Sequence, residues 1–283
     1  MKLKIIFAIL VLALASLACS FNVNLPDAPK PGPDVTDNIT VPTPKTGDAK
    51  LEINFGAGEL NLAPGAEADL VAGTATYNIP DLKPSVEQDG NDILIRQGPY
   101  EFQGVPTLNN IKNIWDLKLG SAPMELTIAA GAYDGNMDLG GLSLTNLTIK
   151  DGAADVKLNF SSPNKTEMTV FRYETGASNV TLSGLANANF STMIFSGGAG
   201  NYDLGFDGDL QRDATVTIDS GLSDLTLRIP KGVNVVVTVE GGLSDVNTSS
   251  NWSQSGNTYT QKGSGPTLTM IVKLGAGNLT LTD

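Results

Sequence analysis

Residues 197–205 read "GGAGNYDLG". The stretch comes within one position of the calcium-binding nonapeptide G-G-x-G-x-D-x-U-x, but its acid, Asp203, falls one place late and Tyr202 stands where the ligand belongs. Its relatives lie in the same chain. Close copies begin at Gly56 (GAGELNL), Gly152 (GAADVKL), Gly176 (GASNVTL), Gly198 (GAGNYDL), Gly221 (GLSDLTL), Gly242 (GLSDVNT) and Gly275 (GAGNLTL), and a looser one, GAYDGNMDL, begins at Gly131. From Gly131 through 152, 176, 198 and 221 to Gly242 the spacings are 21, 24, 22, 23 and 21 residues. A period in this range signals stacked supersecondary units.

Working outward, each copy follows a short alternating apolar run: LTI at 126 and 147, MTV at 168, TVTI at 215, VVVTV at 235 and LTMIV at 268. After the glycine, motif positions five and seven are apolar with a polar residue between them, as in Val156/Leu158 and Leu225/Leu227. Both halves therefore have the period of half-buried strands. The pattern predicts an all-β solenoid of seven or eight coils, each a strand, a glycine corner, a second strand and a return turn. At about 4.8 Å per coil the stack would be roughly 35–40 Å long. The first glycine is expected to supply positive φ, and the small residues after it to let coils approach closely. Position four, occupied by Asp155, Asp224 and Asp245 among others, should form a ladder. With Asp224 and Asp245 expected on successive coils, these three are calcium candidates; turn and asparagine-ladder roles are the alternative.

The period lapses over 51–122, which reads as an N-terminal β part capping the stack, with a hairpin about Asp89-Gly90 and a bulky Trp115. Residues 123–283 read as the repeat domain. Within it, 249–266 is a polar insertion whose Trp252 and Tyr259 are candidates for ligand contact or for burial on the last coil.

The N-terminus carries Lys2 and Lys4, an apolar run from Ile5 to Leu17 and small residues, the layout of a secretory signal at 1–18. The single cysteine, Cys19, directly follows "SLA" and resembles the lipobox of bacterial lipoproteins, which implies cleavage before Cys19 and lipid attachment to it. An ordinary cleaved signal with an incidental cysteine and a retained membrane helix are the other readings. Prolines at 26, 29, 31, 33, 42 and 44 then make 19–50 a disordered tether. The expected location is the membrane or cell surface, lipid-anchored and extracytoplasmic.

The formal charge of −12 disfavours a nucleic-acid partner. With no histidine and one cysteine, Ser/His/Asp and Cys/His catalysis and the common zinc sets are excluded. No repeated acid pair of the kind glycan-cleaving β-helices use is evident, so a polysaccharide-active enzyme is the third reading.

The stretches WDLKLGSAPMELTIAAGAYDGNMDLGGLSLTNLTIKDGAADVKL, VTVEGGLSDVN and LTMIVKLGAGNLTL resemble the toast-rack and LiaF-like (cell-wall-active antibiotic response) C-terminal domains of bacteria, and more loosely adhesin-like heads of stacked glycine-rich repeats. The resemblance implies a β-solenoid envelope domain, linked in some relatives to envelope stress. The functional expectation is a tethered, non-catalytic lipoprotein presenting a binding or structural surface to envelope proteins or polysaccharide, with no cofactor other than candidate calcium. Regulatory partnership with an envelope-stress two-component system is the alternative.

Overall fold

The computed structural model describes residues 31–99, 110–241 and 243–283; Cys19 and the expected signal lie outside them. The first six strands are β1 (Val35–Pro42), β2 (Ala49–Pro64), β3 (Asp69–Tyr77), β4 (Ser85–Asp89), β5 (Asp92–Arg96) and β6 (Asn113–Leu119). They are followed by β7 (Met124–Asp138), β8 (Leu144–Asn159), β9 (Met168–Ser183), β10 (Phe190–Gly205) and β11 (Ala214–Arg228). The last five are β12 (Asn234–Glu240), β13 (Leu243–Thr248), β14 (Ser253–Ser255), β15 (Thr258–Gln261) and β16 (Thr267–Thr282).

Seven strands of 15 or 16 residues, β2, β7, β8, β9, β10, β11 and β16, lie side by side in that order. All are parallel, and the repeat motifs are in register. Before the corner, Leu126, Leu147, Phe171, Met193, Val216 and Met270 form one buried column. After it, Val156, Val180, Tyr202, Leu225 and Leu279 form another. Each such side chain contributes about 1.5–3 kcal/mol by leaving water. The inward columns are thus the main reason the coils stack.

Sequence order and spatial order part company at both ends. β16, last in the chain, lies between β11 and a split coil made of β12 and β13. Correspondingly, β2 lies inside a split coil made of β5 and β6. Seven unbroken coils are therefore flanked by one split coil at each end, instead of seven or eight consecutive ones. Antiparallel strands cover the split coils: β4 on β5, β3 on β6, β1 on β3, and β15 then β14 on β12. The sheet thus ends on β1, β4, β13 and β14, strands of three to eight residues that offer short templates for uncontrolled pairing. The hairpin expected at Asp89-Gly90 is the β4–β5 turn, with Gly90 at φ 61°.

Three expectations need correction. β2 begins at Ala49 and pairs with β7 through both halves, so the stack starts inside the segment expected to be only a cap. The expected tether also ends early, because Val35–Pro42 pairs with β3 and buries Ile39 and Val41. Residues 35–41 contain no proline and alternate in burial, while Pro42 ends an edge strand, where a missing N–H is tolerated. Finally, among the described residues the first glycine of the motif does not take positive φ; within the motif that conformation belongs to Gly58, Gly200 and Gly277, at position three. The first glycine serves close approach instead. A Cβ on Gly198 would lie 2.4 Å from the Gly176 carbonyl oxygen, and one on Gly176 2.4 Å from that of Gly152.

The looser copy at Gly131 also has a steric reason. Gly135 occupies the inward position between Leu60 and Val156, and the buried Tyr133 ring packs where a side chain is missing.

Candidate functional site

The corner ladder is built from motif position four. In spatial order it runs Glu59, Asp134, Asp155, Asn179, Asn201, Asp224, Asn278 and Asp245. Asp224 and Asp245 are not on successive coils, because β16 inserts Asn278 between them. Asn278 Nδ2 donates to Asp224 Oδ1 at 2.7 Å, and Asn201 Nδ2 to Asn179 Oδ1 at 2.9 Å. Asp155 lies three coils from Asp224. The three calcium candidates are therefore not brought together, and among the described residues no group of three or more acids, cysteines or histidines is placed to hold a metal. From Asp155 onward amides separate the carboxylates of the ladder, whereas Glu59, Asp134 and Asp155 follow one another directly.

Inside the corner lies an acid that the sequence reading did not single out. Asp151 directly precedes Gly152 and is in register with Thr175. Its Oδ2 accepts the Tyr173 hydroxyl at 2.8 Å, and its Oδ1 accepts Thr175 Oγ1 and, at 3.4 Å, Ser178 Oγ. Ser178 Oγ in turn accepts the Ala154 amide of the neighbouring coil at 3.0 Å. The hydroxyls of Tyr133 and Tyr202 are buried without a hydrogen-bond partner. Burial pushes the Asp151 carboxyl above its ordinary value, against the opposing pull of the Thr175, Tyr173 and Ser178 hydrogen bonds. With its oxygens committed to neighbouring coils, Asp151 is a structural acceptor.

A raised folded-state pKa means that the native state binds the proton more tightly than the unfolded chain. Stability from this group is full below the ordinary carboxylate value and is lost as pH rises through the raised value. Asp151→Asn is therefore expected to melt higher than wild type at pH 8 and to lose that advantage at pH 4. Reversal of the Tyr173 hydroxyl keeps the network paired. Thermal melts at the two pH values measure the difference, and an equal shift at both would refute the titration account.

In the polar insertion, Tyr259 is 7% exposed and Trp252 packs partly buried against the core, its indole nitrogen enclosed. The insertion is a hairpin, β14–β15, laid antiparallel on β12, which turns Tyr259 inward. Neither ring offers an exposed aromatic platform, and the burial alternative describes both. The Asn-x-Thr match at Asn164 is structural too: Asn164 is 2% exposed, exchanges two 2.8 Å hydrogen bonds with the Leu144 backbone and donates a further one to the Thr166 carbonyl, and so has no free amide.

The outer surfaces differ along the stack. An open groove of about 660 Å³ crosses β6, β2, β7, β8 and β9 on the post-corner side, where Asp116, Lys118, Asp138 and Lys157 mix both charge signs. On the pre-corner side, two outward columns over β10, β11, β16, β12, β15 and β14 carry no charge, while the outward positions next to the corner hold Asp219, Lys273 and Glu240. One column runs Thr192, Thr215, Thr269, Val236, Thr260 and Ser253. The parallel column runs Ile194, Thr217, Ile271, Thr238, Thr258 and Ser255. All twelve are exposed or half-buried, and the residues between them are buried on the first five strands, as Val216 and Val237 are, but not on β14, where Gln254 is exposed.

No curated protein matches the chain. Among solved structures, a candidate cell adhesion protein from Clostridium sporogenes is 20% identical, with TM-score 0.49, covering 88% of this chain and 99% of its own. A candidate adhesin from Bacteroides fragilis is 13% identical, with TM-score 0.48, covering 90% and 100%. A candidate lipid-binding protein from Parabacteroides distasonis is 11% identical, with TM-score 0.37, covering 88% and 97%. Residues 30–183 match the family model for the N-terminal domain of toast_rack, DUF2154. That match takes in β1 and the first coils through β9, which agrees with a folded unit that starts before residue 51. With more than half of its length matched, the chain belongs to the toast-rack family.

Proposed function

We propose that the chain is a membrane-tethered, non-catalytic envelope lipoprotein whose stacked coils present a binding or structural surface outside the cytoplasm, as an adhesive or envelope-stress module. The observation that carries this reading is the in-register alignment of outward positions over seven unbroken coils. Such a surface engages an extended partner through many equivalent positions. Polar side chains within the stack support the same reading: the half-buried Asp151 and the buried Asn164 and Asn189 make hydrogen bonds from one coil to the next. The tether is the proline-rich segment between Cys19 and β1, shorter than 19–50, and the anchor is a lipid on Cys19.

Cys19→Ser tests the anchor. The wild-type chain, expressed in a bacterium fed labelled palmitate, is expected to take up label and sediment with membranes, whereas the variant loses the label and appears in the soluble fraction. An unlabelled, soluble wild-type chain would overturn the reading. Acyl chains contribute roughly 0.8 kcal/mol per buried methylene, so several chains together make the association stable.

A further inference from the structure

The uncharged pre-corner face over β10, β11, β16, β12, β15 and β14 stands out because the same side of the stack is charged elsewhere. On β2, β5, β7 and β9 the corresponding outward positions include Lys50, Glu52, Asp92, Glu125 and Arg172. Charges also frame the face: Arg172 beside Ile194, and Asp219, Lys273 and Glu240 along its corner side. A chain of formal charge −12 thus holds twelve adjacent outward positions free of charge, filled by hydroxyl-bearing Thr and Ser with Ile and Val among them.

We propose that this face binds an extended, uncharged polysaccharide laid across the strands. This rests on the reading of the stack as a binding surface and names its partner class. Threonine suits such a ligand because its hydroxyl pairs with sugar hydroxyls while its methyl group meets the C–H face of the ring. The rows repeat at about 4.8 Å, so a polymer crossing them meets the same pair of groups at each step. The charge distribution selects an uncharged partner, since an anionic polymer is repelled by the rest of the surface and a cationic one would prefer the acidic N-terminal half. Size argues against a second copy of this chain: six strands by two side-chain columns make about 400 Å², against the roughly 800 Å² per partner of a standard interface.

The test uses the full-length protein in detergent micelles, sedimented with swollen cellulose, chitin, mannan and galactan as neutral probes and with polygalacturonate as the anionic one. Retention on at least one neutral polymer and not on polygalacturonate is expected. Thr217→Glu with Thr238→Glu, and Thr217→Lys with Thr238→Lys, should both weaken retention at least tenfold with unchanged melting temperatures. Thr127→Lys with Thr148→Lys, on the charged half of the same side, should leave it within twofold. Several results would overturn the proposal: retention on none of the neutral polymers, equal loss with the Thr127/Thr148 variant, or weakening by one charge sign only. So would a dimer in sedimentation analysis that the Thr217 variants dissolve. Because palmitate uptake at Cys19 is read separately, a labelled, membrane-bound protein that ignores all neutral polymers removes this inference and leaves the tethered-lipoprotein reading in place.

Discussion

Gly198→Ala is expected to destabilise the protein by about 3 kcal/mol, at the upper end of what one added methyl group costs in a packed interior. The backbone at Gly198 is not in the positive-φ region, so the residue itself tolerates a side chain. The neighbour does not: the new Cβ would stand 2.4 Å from the Gly176 carbonyl oxygen and 3.5 Å from its Cα, both part of the adjoining coil. Relief requires the coils to spread, and spreading stretches the hydrogen bonds of β9, β10 and β11 on both sides of the corner. Gly90→Ala is the control. It sits at φ 61° with open space around the missing Cβ, and should cost only about 1 kcal/mol, the penalty of a left-handed conformation. Urea unfolding of both variants separates the two causes. Equal costs would mean that stacking distance is not what the repeated glycine serves.

That distinction marks how far the sequence could be read. The period and the alternation around Gly198 set the coil, its inward residues and the register, because a 22-residue unit with two apolar half-strands has few ways to bury them. The function of the first glycine was misassigned because a glycine required for close approach and one required for positive φ are the same letter; only the neighbouring carbonyl tells them apart. Spatial order at the ends was also hidden. Nothing local in GAGNLTL says that its strand slots between Asp224 and Asp245, yet that insertion removes the adjacency on which a calcium site depended. The Asp151 network escaped notice because its partners Tyr173, Thr175 and Ser178 lie 22 to 27 residues away, one coil along, where no short motif reaches. The uncharged face is assembled from six strands that are adjacent in space but out of sequence order, and it becomes visible only when outward positions are read across them.

Trp115→Ala is expected to cost about 3–5 kcal/mol, the range for truncating a large buried aromatic, and to act at one end of the stack. Trp115 is 0% exposed on the split coil that caps β2. Its ring meets Phe55 edge to face at 5.1 Å, and Phe55 meets Tyr133 at 6.2 Å, so three aromatics from three adjacent layers close the core. Deleting the indole opens a cavity beside Leu60, whose other neighbour in the column is Gly135, an inward position that already lacks a side chain. Trp115→Phe should cost less, about 1–2 kcal/mol, because a ring is kept and the indole N–H, buried without a partner, is removed. The end position also shapes how the loss appears. In a stacked array each layer leans mainly on its neighbours, so a weakened terminal layer can open before the rest. Hydrogen exchange should accelerate in β1, β3 and β6 while β9 and β10 keep their protection, and the urea slope should fall together with the midpoint. Uniform acceleration through β10 would instead show that the nine layers unfold as one unit, and that Trp115 holds the whole stack together.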